Sequence, residues 1–253
     1  MAPLGRLAAR AGLLLGMPAA AHAALLSAID DPASRETLLG AGCPPELRDV
    51  AALRADIGAV TTGGVSEVGR WLAGELSSDH AGETGAVYIY RGALQALQVR
   101  SWLAEKGLAS TEGLASCTKF CGEHVQAESL HLALMEALLD GPQRTALVPL
   151  WRLSGFYLGF VPTVLLGPRG LYATVEPVET FVVGHYEEQY GPLEEQGLAP
   201  KLCAALRVCC ADEAHHRDDA AERAGPPGSL LRSAWAAVVR GGSAGAAHVA
   251  RLV

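Results

Sequence analysis

The chain has 253 residues, half of them apolar, with 19% charged residues and a formal net charge of −7. That is long enough for one domain with a sizeable core, and the acidic balance excludes a nucleic-acid surface, which needs a basic stripe. Six cysteines (Cys43, Cys117, Cys121, Cys203, Cys209, Cys210) follow no Cys-x-x-Cys spacing, so they read as reduced, buried thiols rather than a structural zinc site.

Taken in order, residues 1–29 contain Arg6 and Arg10 and no acid before Asp30. They read as a targeting peptide. Ala21-His22-Ala23 resembles a secretory cleavage site, but the spread of the arginines and the short apolar run favour a mitochondrial transit peptide; an ordinary N-terminus is the bland alternative. Residues 30–65, with Pro32, Pro44-Pro45 and Gly63-Gly64, read as a linker with at most short helical pieces. The remainder, 66–253, reads as one all-α domain.

Ser66 is a candidate N-cap for a helix to about Lys106, along which Trp71, Leu72, Leu76, Ala86, Ile89, Tyr90, Leu94 and Leu97 recur at helical spacing. It contains Glu83. A loop over 107–116 precedes a second helix, about Thr118 to Leu139, containing Glu128 and His131. The most apolar passage, Leu147 to Leu166, is about the length of a membrane span, roughly 20 residues. Arg152, Pro149 and Pro162 argue against a straight spanning helix. The expectation is a hairpin at a bilayer interface or over an apolar pocket, with Trp151, Phe156, Tyr157 and Phe160 as interfacial aromatics; a crossover between helix pairs is compatible with it. A third helix is predicted from Pro177, carrying Glu179, His185 and Tyr186. A fourth, from Pro200 to Ala224, carries Asp212, Glu213 and His216 and stops at Gly225-Pro226. A basic amphipathic helix follows from Ser229. Nothing in the chain signals a sheet.

The acidic and imidazole residues thus occur in the order Glu83, Glu128-x-x-His131, Glu179, Glu213-x-x-His216. A lone Glu-x-x-His is common by chance and usually an exposed pair; two of them, alternating with single glutamates, form the ligand pattern of a two-metal site in a four-helix bundle. Residues three apart share a helix face, so each motif aims two ligands at one point. Four buried carboxylates repel one another, and two dications with two neutral imidazoles neutralise them. Carboxylate and imidazole donors suit iron or manganese. Asp212 is the candidate partner for an imidazole. His215 is ambiguous, since only His216 stands three residues from Glu213. The spacings suit two helical hairpins joined by the apolar passage, a ferritin-like four-helix bundle with an apolar crossover and a C-terminal amphipathic helix.

From Asp79-His80-Ala81-Gly82-Glu83 onward, through Pro149-Leu150-Trp151, Gly155-Phe156, Leu165-Leu166-Gly167, Val178-Glu179, His185-Tyr186 and Asp212-Glu213 with His216, the chain resembles the demethoxyubiquinone hydroxylase family of ubiquinone biosynthesis. The resemblance implies that Glu83, Glu128, His131, Glu179, Glu213 and His216 bind two Fe2+ ions. It implies a di-iron monooxygenase that hydroxylates the ring of a demethoxylated polyprenyl quinone with electrons from an external donor, NADH. It further implies peripheral association with a membrane holding the quinone: the matrix side of the mitochondrial inner membrane, or the inner membrane of a bacterium. Partner proteins of quinone biosynthesis and a homo-oligomer are compatible with it. His185 and Tyr186 are candidate assistants in proton or electron transfer, with core packing the bland alternative. Ser77-Ser78 stand where the family commonly has Arg-Val, Thr180 replaces a frequent Glu, and the segment between Glu83 and Glu128 is longer than usual. The competing reading is a ferritin- or rubrerythrin-like protein that stores or oxidises iron without an organic substrate; the apolar passage argues against it.

Overall fold

The computed structural model describes residues 37–40, 42–61, 67–226 and 229–252; the targeting segment over 1–29 and the Ser66 cap lie outside them. Among the described residues there are eight α-helices, one 3-10 turn at Gly141–Gln143 and no strand. The helices are α1 (Pro45–Arg48), α2 (Val50–Thr61), α3 (Glu67–Glu105), α4 (Leu114–Leu138), α5 (Val148–Leu166), α6 (Pro168–Glu195), α7 (Pro200–Ala224) and α8 (Leu230–Ala250).

Helices α3 with α4 and α6 with α7 pair as two hairpins, and α5 crosses between them. The α6–α7 turn shows how the sequence sets such a joint. Gly197 takes a left-handed φ of 67°, and the Leu198 N–H returns to the Leu193 carbonyl at 2.8 Å, satisfying a carbonyl the helix end leaves open. Pro200 then begins α7 at a position where its missing N–H costs nothing. Buried apolar side chains gather in two clusters. One holds Leu72, Leu76, Leu134, Met135, Leu193 and Leu206; the other holds Tyr90, Leu97, Phe120, Leu171 and Val175. The acidic residues of the four long helices fall in the chain between these two sets, at mid-height of the bundle. All six cysteines are buried and unpaired.

The stretch read as a linker packs on this bundle where the structure describes it. Leu47 of α1 and Leu53, Ile57 and Val60 of α2 are buried in the first cluster, and Asp56 accepts from the Lys201 N–H at the start of α7 at 2.7 Å.

The apolar passage is one helix, not the expected hairpin. Pro149 lies in the first turn of α5 and Pro162 is accommodated inside it. The crossing of α5 on α3 is glycine-tight: a Cβ on Gly155 would lie 2.3 Å from the Gly85 carbonyl oxygen, and one on Gly159 would lie 1.9 Å from that of Ile89. This face carries Trp151, Phe156 and Gly159 inward, while Leu150, Leu153, Tyr157, Val161 and Leu165 face outward. Of the four aromatics expected at an interface, Trp151 and Phe156 are buried, and only Tyr157 is more than half exposed, at 52%. No described helix is long and apolar enough to cross a membrane.

The third bundle helix also begins earlier than expected, at Pro168 rather than Pro177. The true start is the Gly167-Pro168 joint. Gly167 there has φ 70°, and Arg100 donates to the Val164 carbonyl at 2.9 Å, closing the end of α5.

Candidate metal centre

Glu83 of α3, Glu128 and His131 of α4, Glu179 of α6, and Glu213 and His216 of α7 converge in the core, each at most 3% exposed. Their donor atoms form two overlapping groups, Glu83, Glu128, His131 and Glu213, and Glu128, Glu179, Glu213 and His216. Within each group the atoms lie within 4.8 Å of one another. Glu128 and Glu213 belong to both, which is the arrangement two metal ions bridged by carboxylates require.

Both imidazoles point Nδ1 inward. His131 Nδ1 lies 2.9 Å from Glu213 Oε1 and 3.7 Å from Glu83 Oε2. His216 Nδ1 lies 3.0 Å from Glu128 Oε1 and 3.2 Å from Glu213 Oε2. The outward nitrogen of His131 meets Asp212 Oδ2 at 3.1 Å, the part anticipated for Asp212. An imidazole that donates Nε2–H to a carboxylate keeps the Nδ1 lone pair free for a metal. Glu83 Oε1 accepts the Tyr186 hydroxyl at 2.5 Å, and Glu179 Oε1 accepts that of Tyr90 at 3.5 Å. Tyr186 was singled out in the sequence; Tyr90 was read only as a core residue, and its helical spacing gave no sign of the polar contact.

The residues fit a pair of cations. Glu83 Oε2, Glu128 Oε2 and Glu179 Oε2 are buried and make no hydrogen bond, a state costly for a carboxylate left alone. Burial, reinforced by the neighbouring carboxylates, raises the pKa values of Glu83, Glu128 and Glu179. Burial acts the same way on Glu213, but His131 and His216 outweigh it and hold its carboxyl down to about 2. Burial opposes the charge on His216, yet Glu128 and Glu213 push its pKa up to about 11. For His131, Cys209, Asp212, Glu213 and Glu83 overcome burial and raise it likewise. Without a cation the site thus depends on protons to offset its charge.

His80, adjacent to the site in sequence, faces away from it. Its Nε2 meets Glu136 Oε1 at 3.1 Å, and Glu136 pairs with Arg144, so His80 pins α3 to the end of α4. His215 is exposed. His185 does not join the cluster. It lies against Asp79, Glu75 and Ser78 of α3 and lines a cavity.

That cavity, about 360 Å³, reaches Glu83, Glu128, Glu179 and Glu213 from between α3, α5, α6 and α8. Its walls are mainly apolar, including Ile89, Leu158, Val182 and Val239, with Trp151 and Trp235 among them. The volume is that of a small-molecule site.

An all-α bundle of two hairpins around a buried carboxylate–histidine cluster defines a ferritin-like protein with a candidate metal centre. The chain belongs, more particularly, to the family described as ubiquinone biosynthesis protein COQ7, whose model matches residues 70–250. It is 37% identical over 146 residues to the 3-demethoxyubiquinol 3-hydroxylase of Rhodospirillum rubrum, a match covering 56% of this chain and 60% of that relative. It is 32% identical over 142 residues to the mitochondrial NADPH-dependent 3-demethoxyubiquinone 3-hydroxylase of Dictyostelium discoideum, covering 54% of this chain and 58% of the relative. The similarly named Caenorhabditis elegans protein is 30% identical over 182 residues, 69% of this chain and 87% of its own. The matches with the first two relatives thus span about three fifths of those proteins.

Proposed function

We propose that this protein is a di-iron monooxygenase that hydroxylates the ring of a demethoxylated polyprenyl quinone, in its quinone or quinol form, in ubiquinone biosynthesis. The observation that carries the reading is the apolar cavity opening onto the carboxylate cluster. A protein that only stores iron has no use for such a chamber, whereas a hydroxylase must seat an apolar ring beside its metals. Overall, one atom of dioxygen enters the ring and the other leaves as water, with two electrons and two protons from a donor. The names of the eukaryotic relatives specify NADPH where the family resemblance suggested NADH; either reduced nicotinamide supplies the same electrons.

Two irons held by Glu83, Glu128, His131, Glu179, Glu213 and His216 would supply the dioxygen activation and redox capacity that no side chain offers. The chain's own residues do the rest. Asp212 fixes His131 with Nδ1 inward. Tyr186 and Tyr90 each occupy one oxygen of Glu83 and Glu179, which leaves the other oxygen of each to a metal. Ile89, Leu158, Val182 and the two tryptophans exclude water from the ring's chamber, which strengthens every electrostatic interaction inside.

The outward face of α5, with Leu153, Val161 and Leu165, and Leu230, Leu231, Val238 and Leu252 in and beside α8, form exposed apolar surfaces. Both helices wall the cavity. A polyprenyl tail too apolar to cross water would be met by docking these faces on a membrane, the mitochondrial inner membrane from the matrix or its bacterial counterpart. Partner proteins of the same biosynthesis would meet the protein there.

The test is direct. Protein loaded anaerobically with Fe2+ receives a demethoxylated quinol, a reduced nicotinamide and 18O2. The expected product carries one labelled oxygen on the ring. Oxidation of the iron with no label in the quinone would instead establish the iron-oxidising reading.

A further inference from the structure

Helix α8 forms one wall of the cavity through Trp235, Val239, Gly242 and Ala246. It is tied down at both ends. At its start Ser229 caps the helix, Arg232 pairs with Glu176 at 2.6 Å, and the Trp235 indole N–H donates to Thr174 at 3.0 Å. At its end the Ser77 hydroxyl donates to the Ala250 carbonyl at 3.3 Å. Arg251, the residue capping α8, places Nε and Nη2 at 2.9 and 2.8 Å from Glu75 Oε2.

The same guanidinium makes a contact that latching α8 does not require. Its Nη2 lies 3.3 Å from Nδ1 of His185. Arginine has five donors and no acceptor, so Nδ1 must accept and cannot carry a proton. The imidazole is then neutral, with its single N–H on Nε2. That nitrogen lies 3.2 Å from Asp79 Oδ1 and 3.2 Å from Ser78 Oγ. Asp79 is itself held by Gln189 Nε2 at 2.7 Å. The charged and titratable groups facing His185 are therefore Glu75 and Asp79 from α3 and Arg251 beyond α8; on its own helix, Phe181 stacks on the ring at 5.5 Å and Tyr186 follows it in sequence.

We propose that Arg251 is a positioning residue: while the end of α8 is docked on α3, it biases His185 at the cavity wall towards the neutral Nε2–H tautomer. The role deepens, and rests on, the hydroxylase reading, because the cavity so closed is the one assigned to the quinone ring. Take Arg251 away and His185 faces two carboxylates with no cation between them, so it holds a proton more tightly. Dock Arg251 and that hold weakens. Closing the cavity with α8 is therefore linked to a lower proton affinity of a histidine beside Tyr186, which donates to Glu83. Burial opposes charge on His185, but Asp79 and Glu75 outweigh it and keep its pKa above the ordinary imidazole value even with Arg251 in place. Arg251 works against them, so the neutral form is populated above that raised pKa and over a wider range than it would be without Arg251.

The test follows hydrogen–deuterium exchange at C2 of each histidine against pH, read by mass spectrometry on full-length, Fe2+-loaded, anaerobic protein, so that no activity is needed. Arg251→Gln is expected to raise the His185 midpoint by about one unit, Arg251→Lys to bring it most of the way back, and Glu75→Gln to lower it. His80, pinned by Glu136, is the internal reference. An unmoved midpoint in Arg251→Gln, the same midpoint in the Gln and Lys variants, or shifts of one sign in Arg251→Gln and Glu75→Gln would overturn the proposal; the last would mean that only docking of α8 had been lost. In turnover, the acidic limb of the kcat–pH profile should move with the midpoint in Arg251→Gln. If wild-type protein hydroxylates nothing, the proposed function falls and the exchange experiment still decides the role of Arg251.

Discussion

Glu128 and Glu213 stand in both groups of converging donor atoms, whereas Glu83 and Glu179 each stand in one. The six residues are therefore not equivalent. On the proposed di-iron reading, removing a shared carboxylate would open both cation positions and leave His216 beside one fewer anion, while removing Glu83 would open one. Glu128→Ala and Glu213→Ala are expected to lose nearly all iron from anaerobically purified protein, and Glu83→Ala to keep about half, by elemental analysis normalised to protein. Full iron in both shared-residue variants would show that these carboxylates do not bridge. At this scale the sequence was informative because a helix turns spacing into direction: Glu at i and His at i+3 must face one way. The partners that complete the site were less legible. Asp212 was visible beside Glu213, but Tyr90 joins Glu179 across 89 positions and Gln189 joins Asp79 across 110. No local period encodes which distant face a side chain meets.

At the scale of elements, the crossover decides whether the cavity exists, because α5 is both its wall and the link between hairpins. Its seat on α3 depends on absent side chains. With a Cβ at Gly159 only 1.9 Å from backbone, no rotamer change relieves the clash and the helices must separate. Gly159→Ala is expected to cost about 3 kcal/mol, seen as a lowered midpoint in urea with the metal bound, whereas Gly82→Ala, which meets nothing, should be near neutral. Equal midpoints would show that the crossing yields easily. The outer face of α5 makes a separate prediction. Phe156 is 7% exposed and packs with Val87 and Leu132, so charging it would injure the core. Leu153 and Leu165, 53% and 70% exposed, test membrane docking cleanly. Asp at both should cost roughly 2–3 kcal/mol each on insertion and release the protein from liposomes without loss of iron; undiminished co-sedimentation would place the docking face elsewhere. The end of α7 was legible from its Gly-Pro stop. The crossover itself was anticipated, but its form as one helix rather than a hairpin was missed because prolines were weighed as breakers, although Pro149 occupies a first turn that needs no N–H and Gly167, not Pro177, marks the joint before α6.

For the whole molecule, the site sets a bundle that is well packed at both ends against a middle that is charged and buried. In metal-free protein the middle keeps its protons: Glu83, Glu128 and Glu179 have raised pKa values, and those of His131 and His216 are raised too, that of His216 to about 11. An unfolded chain releases the carboxylate protons near pH 4.3 and the imidazole protons near pH 6.5, to about these values. Above pH 4.3 the folded state therefore binds more protons than the unfolded one, and stability falls as pH rises. The histidines' share is fully present below about pH 6.5 and, for His216, is lost as pH climbs to about 11. Glu213, held down to about 2, acts oppositely only in acid, its contribution disappearing as pH falls from about 4.3 towards that value. The Tm of metal-free protein is thus expected to fall steadily between pH 5 and pH 9. Fe2+ bound at the proposed centre would displace those protons, so its affinity and the stability it adds should grow over the same interval, and the gap in Tm between loaded and metal-free protein should widen with pH. Calorimetry under anaerobic conditions measures both curves. Parallel curves would mean that metal uptake releases no protons, and that these six side chains do not hold it.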